Sequence, residues 1–161
     1  MTFFNILQKT WHNFLERQLF DLIYGTNTYE VVDKADFLPI VDLKHGKAYY
    51  ASWTNEVKNS HQVLIHLLKN HFTDYVFIDL GCGKGKACLV WEMQNRRLAQ
   101  NQLIYGLDYY EPFIKIAQKN YVQVFKQSGN FYHADAQHFD YQQFNKPLII
   151  YLFNPFDAYL L

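Results

Sequence analysis

The spacing of apolar positions changes about halfway along the chain. In the first part apolar residues return at helical intervals. Phe4, Leu7, Trp11, Phe14, Leu15, Leu22 and Ile23 predict a helix over Phe3–Tyr24, with Gly25 closing it. Val57, Val63, Leu64, Leu67 and Leu68 predict another over Asn55–His71, with Thr54 as N-cap and Ser52 as the alternative. Between them, Asn27, Pro39 and Gly46 punctuate Thr26–Ser52, leaving room for short extended pieces at Tyr29–Val32 and Ala48–Tyr50. From Tyr75 onward, apolar runs of strand length alternate with helical stretches. Tyr75–Leu80, Leu103–Leu107, Asn130–His133 and Pro147–Phe153 read as strands, and Lys86–Arg97 and Pro112–Lys126 as helices, Pro112 being suited to a first helical turn. The last run, PLIIYLF, is nearly all apolar, as in a parallel strand with helices over both faces.

A strand–helix series of this kind predicts an α/β fold: a Rossmann-like, doubly wound, mainly parallel sheet flanked by helices. Residues 1–72 are expected to form a helical extension or cap on a core of residues 73–161, the whole being one structural domain. The first helix is expected to pack on the body, with a dimer helix or a cap over a ligand as alternatives. With 161 residues, half of them hydrophobic, the chain suffices for one domain with a packed core. Fifteen basic and 15 acidic side chains cancel, so net charge gives no footprint for nucleic acid or an anionic membrane. Lys9, Glu16, Arg17 and Asp21 break up the apolar N-terminal stretch, which argues against a signal peptide, and no apolar run reaches the roughly 18 residues of a membrane span. A cytoplasmic setting follows by default, with Cys82 and Cys88 as reduced thiols.

The candidate chemistry lies at the end of the first strand, in Asp79-Leu80-Gly81-Cys82-Gly83-Lys84-Gly85. Ligands of doubly wound sheets bind at the carboxyl ends of strands. Glycines there permit positive φ and close approach to the main chain, and an acid can accept hydrogen bonds from an ammonium group. The dinucleotide pattern G-x-G-x-x-G fails, because Lys86 stands where the third glycine belongs. The P-loop pattern fails too, with Ala87 lacking the hydroxyl that would meet magnesium. The seven histidines offer no i, i+4 pair and no zinc pattern with the cysteines, so no metal is assigned.

The spacing D-x-G-x-G-x-G after an apolar strand resembles motif I of the class I S-adenosylmethionine-dependent methyltransferases, and the resemblance extends over about Val76–Phe156. It implies S-adenosyl-L-methionine as cofactor, with Asp79, Gly81, Cys82, Gly83 and Gly85 around its methionine part. Asp108 ends the second strand, 108 − 81 = 27 residues after the first glycine, and by resemblance would take both ribose hydroxyls, with Tyr109 or Tyr110 against the adenine. Asp135, beside Ala136 after the third strand, would take the adenine amino group. Asn154-Pro155-Phe156 resembles the tetrapeptide by which family members methylating amino nitrogens hold their acceptor, shortened by one proline. In this form it is similar to bacterial methyltransferase-like proteins related to the Dot1 histone-lysine group. Asn154 would position the acceptor, and Pro155 and Phe156 would shape the transfer path. Tyr49, Tyr50, Ser52 and Thr54 would close over the cofactor carboxylate.

In-line transfer from a sulfonium needs alignment and exclusion of water more than a nucleophile, so no triad is expected. The acceptor is expected to be a protein or small molecule rather than nucleic acid. Relatives usually continue past the fourth strand, so that strand is expected to be an apolar edge, with truncation, cover from the N-terminal helices, a homodimer or a partner chain as explanations. A cofactor-binding module without turnover and, less well supported, a nicotinamide-dependent oxidoreductase are the alternative functions.

Overall fold

A computed structural model describes residues 18–29 and 48–155, together with Trp11 and Glu16. Helix α1 (Leu19–Tyr24) ends at Gly25, whose φ of +64° places it in the left-handed conformation that closes helices. Apart from Trp11, Glu16 and Gln18, the rest of the expected Phe3–Tyr24 helix lies outside the described residues, as do most of the Tyr29–Val32 piece and Phe156; of the Ala48–Tyr50 piece, Tyr49 alone makes an isolated bridge. Helix α2 (Thr54–Leu68) begins one residue before the expected start, and Trp53 is its N-cap residue in place of Thr54 or Ser52. It stops short of His71, because the chain tightens into a 3-10 helix over Lys69–Asp74.

Strands β1 (Val76–Leu80), β2 (Ile104–Asp108), β3 (Asn130–His133) and β4 (Leu148–Leu152) form one parallel sheet in the order β3-β2-β1-β4. Helices α3 (Lys86–Arg97) and α4 (Glu111–Phe125) make the first two crossovers. The strand order reverses at β1, which is the switch point of a doubly wound, Rossmann-like fold. Side chains of β1 alternate between the faces, as strand geometry requires. Phe77 enters a core with Val57, Phe72, Leu89, Trp91, Ala117 and Tyr121, on the side of α2, α3 and α4. Val76, Ile78 and Leu80 enter a smaller cluster with Leu107, Tyr105, Phe139, Tyr141 and Phe144.

The second face departs from the expectation of helical cover. Among the described residues, a 3-10 helix over Tyr141–Phe144 and its aromatic neighbours pack there. β4 is also less buried than its apolar composition implies: Ile150 is 48% exposed and Leu152 41%. Among the described residues, the strand lies at an edge of the four-stranded sheet. On the larger face Trp91 stacks on Phe77 with centroids 3.9 Å apart, and its indole N–H donates to Gln102 Oε1 at 2.7 Å. Gln102 in turn donates to the Phe72 carbonyl at 3.0 Å, so the polar atoms of this buried group are paired. Among the described residues no helix is long and apolar enough to cross a membrane.

Candidate cofactor site at the switch point

The turn after β1 carries three positive-φ glycines, Gly81 at +71°, Gly83 at +52° and Gly85 at +83°. The chain itself supplies the close approaches. A Cβ on Gly81 would stand 2.3 Å from Pro155 Cβ, and one on Gly83 would stand 2.1 Å from the ring of Tyr49. Gly85 abuts Ala117 of α4 and the Phe131 ring. The glycine spacing therefore lets the turn after β4, the segment before α2 and helix α4 converge on one loop. Pro155 joins it from the end of β4, and Asn154 beside it is exposed with φ +52°, a conformation asparagine tolerates better than most residues.

Every main-chain N–H of the turn is already spent. Gly81 and Cys82 both donate to the Leu107 carbonyl at 2.9 Å, and Gly85 to the Cys82 carbonyl at 2.9 Å. Gly83 donates to Asp108 Oδ2 at 2.7 Å, and Lys84 to the Tyr49 hydroxyl. A pyrophosphate loop needs such groups unspent, pointing at the anion. This turn presents carboxylates instead.

Asp79 and Asp108 lie on the same face of neighbouring strands, at their carboxyl ends. Asp79 is 3% exposed, and its Oδ2 accepts a long hydrogen bond from the Cys88 thiol at 4.0 Å. Burial pushes its carboxyl up to about 8, and the nearby Asp108 adds to the rise. Across the strand pair it faces Tyr151, which burial pushes up to about 12 and which hydrogen-bonds Ser52. Asp108 accepts from the main-chain N–H groups of Gly83 and of Tyr110, the latter at 2.8 Å. Burial nevertheless raises it to about 6. The His133 ring, like the two main-chain N–H groups, works against that rise but does not cancel it. Two neighbouring carboxylates, one buried and one partly buried, are costly to ionise together unless a cationic or hydroxyl-bearing ligand meets them.

Other expected site residues fall around this centre. Cys82 turns inward beneath the loop, its thiol close to Gly106. Tyr109 is 38% exposed, and its carbonyl accepts from His133 Nε2 at 3.0 Å. Asp135 is held by its own loop, accepting from the Gln137 N–H at 2.9 Å and meeting His138 Nδ1 at 2.7 Å. Ala136 packs toward the smaller core, with its carbonyl bonded to the Tyr141 hydroxyl at 2.8 Å. The loop carrying both is tied to the site where the Ala134 N–H donates to the Asp108 carbonyl at 3.0 Å. Before α2, Tyr49 meets the glycine turn, Ser52 meets Tyr151, Tyr50 is exposed and Thr54 reaches the Glu16 carbonyl. Among the described residues no cluster of three or more His, Cys, Asp or Glu side chains is placed to hold a metal ion.

The sequence reading did not single out Asn120, Lys84 and Lys86, all buried around the turn. Asn120 had a visible signal: it interrupts the apolar stripe Phe113, Ala117, Tyr121 of α4 with a polar group on the core-facing side.

Among solved structures the chain is similar to a putative protein-L-isoaspartate O-methyltransferase from Plasmodium falciparum in complex with S-adenosyl-L-homocysteine, at 16% identity and TM-score 0.40 over 64% of this chain and 48% of that one. It is also similar to a putative class I S-adenosylmethionine-dependent methyltransferase from Listeria monocytogenes, at 14% identity and TM-score 0.43 over 53% and 26%. A third is the plantazolicin methyltransferase BpumL in complex with SAH, at 19% identity and TM-score 0.32 over 54% and 36%. The chain thus spans about half or less of the length of these proteins. No curated protein matches it. A family model described as a methyltransferase domain matches residues 71–160, more than half of the chain, from just before β1 to beyond the end of β4. The chain belongs to this methyltransferase-domain family.

Proposed function

We propose that this chain binds S-adenosyl-L-methionine at the switch point and directs its methyl group to an amino nitrogen, with a protein as the favoured acceptor. The observation that carries the cofactor reading is the pair of acids, buried Asp79 and partly buried Asp108, beside a glycine turn whose N–H groups are spent. That chemistry suits an ammonium and a diol and disfavours a phosphate. When bound, the cofactor would supply a methyl group already activated by a positively charged sulfur. Asp79 would hold its ammonium, and Asp108, with lone pairs beyond the two it gives to Gly83 and Tyr110, would hold the ribose hydroxyls. The Tyr49 ring and Pro155 would exclude water from the two ends of the turn.

The acceptor reading rests on Asn154-Pro155-Phe156, which resembles the turn of amino-nitrogen methyltransferases and of bacterial proteins related to the Dot1 group. Asn154 is exposed at the end of β4, and Pro155 lies against the cofactor loop. There an amide oxygen could accept a hydrogen bond from a target nitrogen and align its lone pair with the methyl group. A reducing cytoplasm would suit the two buried thiols, Cys82 and Cys88.

Titration calorimetry with S-adenosylmethionine and S-adenosylhomocysteine, with NADH as control, tests the cofactor. Binding of the first two alone is expected. Asp108→Ala and Asp108→Asn should each weaken binding by about tenfold or more, the loss of a charge-assisted hydrogen bond being about 1.5–3 kcal/mol. Unchanged affinity in both variants would overturn the ribose assignment. Labelled methyl transfer to cell extract, lost in Asn154→Ala with cofactor affinity retained, tests the acceptor. Label recovered on oxygen or on nucleic acid would overturn the amino-nitrogen reading.

A further inference from the structure

The segment after α1 is fastened with more hydrogen bonds than a connecting loop needs. Asp21 accepts from the Thr26 hydroxyl at 2.6 Å, from the Thr28 N–H at 2.8 Å and hydroxyl at 2.8 Å, and from the Tyr29 N–H at 2.6 Å. One carboxylate thus knots residues 26–29 into a strap, with Thr28 fully buried. Asn120, from the buried side of α4, ties the strap to the core. Its Oδ1 accepts the Asn27 N–H at 2.9 Å, and its Nδ2 donates to the Asn27 carbonyl at 3.1 Å. The same Nδ2 donates to the Lys84 carbonyl at 3.0 Å, inside the glycine turn.

Two more links converge on that turn. The Lys84 ammonium donates to Asn27 Oδ1 at 3.3 Å. The Tyr49 hydroxyl donates to the Thr28 carbonyl at 2.8 Å and accepts from the Lys84 N–H, while its ring covers Gly83. The conformation of Gly83-Lys84 is therefore set from both sides by the strap.

We propose that Asn120 and Asp21 are positioning residues for the cofactor: they clamp strap 26–29 onto the glycine turn, so that cofactor binding and strap docking are thermodynamically coupled. Neither residue touches the place assigned to the ligand. They act through Lys84 and Tyr49. The coupling is reciprocal, so the ligand must tighten the strap as much as the strap improves the site. This inference rests on the cofactor reading above.

Gln118 provides the control. It lies on the same helix and makes the same kind of double main-chain contact, donating to the Gly129 carbonyl at 2.9 Å and accepting the Gly129 N–H at 3.3 Å. Those bonds hold the approach to β3 and not the strap. S-adenosylhomocysteine affinity is measured by calorimetry and amide exchange by mass spectrometry, for the full chain and for Asn120→Ala, Asp21→Asn and Gln118→Ala. In the unaltered chain the ligand should slow exchange at Thr28 and Tyr29. Asn120→Ala and Asp21→Asn should bind about tenfold more weakly, within the usual range of coupling factors, and lose that protection. Gln118→Ala should keep both. Equal affinity in all four proteins, or a loss in Gln118→Ala matching that in Asn120→Ala, would overturn the coupling while leaving the cofactor reading intact. No binding by the unaltered chain would overturn the cofactor reading itself, and the coupling with it. If Asn120→Ala fails to fold, Asp21→Asn against Gln118→Ala gives the same comparison.

Discussion

At the scale of single residues, the buried acid Asp79 makes the site sensitive to pH. Its carboxyl titrates near 8 in the fold and at 3.8 when unperturbed, so between those values the folded chain binds a proton that the unfolded chain has released. The stabilisation is complete below the unfolded value and is lost as pH rises through the folded one. Chemical denaturation should show stability falling from about pH 5 to about pH 8, with a shallower slope in Asp79→Asn. An identical slope in that variant would remove Asp79 as the cause. A cationic ligand reverses the sense, because it favours the ionised acid. Affinity for S-adenosylmethionine should therefore rise between about pH 6 and about pH 8. Gly83 makes a second residue-level case. Alanine there would have to hold φ near +52° and displace the Tyr49 ring from 2.1 Å. Gly83→Ala should cost about 1–3 kcal/mol from the backbone conformation alone. Adding Tyr49→Ala should recover part of the total loss, the part due to overlap, as read from the urea midpoint.

At the scale of elements, α2 and α3 meet through a polar pair set in aromatic surroundings. His61 and Asn95 are both buried, and His61 Nε2 lies 2.8 Å from Asn95 Oδ1. The His61 ring meets Phe72 and Trp91 edge-on, at 5.1 Å and 4.8 Å between centroids. His61 Nδ1 and Asn95 Nδ2 have no partner, so the pair is only half satisfied. Removing one partner should be worse than removing both. His61→Leu should cost about 1–3 kcal/mol by orphaning Asn95, and His61→Leu with Asn95→Leu should cost less. A double variant less stable than the single one would refute this account. Burial also lowers the His61 pKa below its ordinary 6.5, so acidification costs stability there as the unfolded chain takes a proton that the folded chain resists. The acid-side loss should disappear in the double variant.

At the scale of the whole molecule, the sheet is covered unequally. Among the described residues, helices α1 to α4 all contribute to the cluster on one face, while a 3-10 helix and a few aromatic residues serve the other, and Ile150 and Leu152 are exposed on β4. An apolar strand at the edge of a sheet promotes association. Ile150→Lys should reduce concentration-dependent light scattering without moving the cofactor affinity; scattering unchanged by the charge would remove this face as the contact. The α/β class, the four strands, the helices over Lys86–Arg97 and nearly the whole of Glu111–Phe125, and the acid-and-glycine turn were legible in the sequence, because period and turn chemistry are local properties. Asp79 and Asp108 were each legible at the carboxyl end of a strand, Asp79 one residue before the end of β1 and Asp108 closing β2, but not their nearness to one another. Tertiary structure alone decided what those local signals meant in space. The turn's N–H groups are spent because Asp108, Leu107 and Tyr49 come to them from other parts of the chain. Its glycines are needed because Tyr49, Pro155 and Ala117 converge there. Asn120 joins α4 to Asn27, 93 positions away, and such a contact has no period for a sequence to show. Exposure of β4 likewise depends on what the rest of the chain lays against it, so an apolar strand could be read from the sequence but its burial could not.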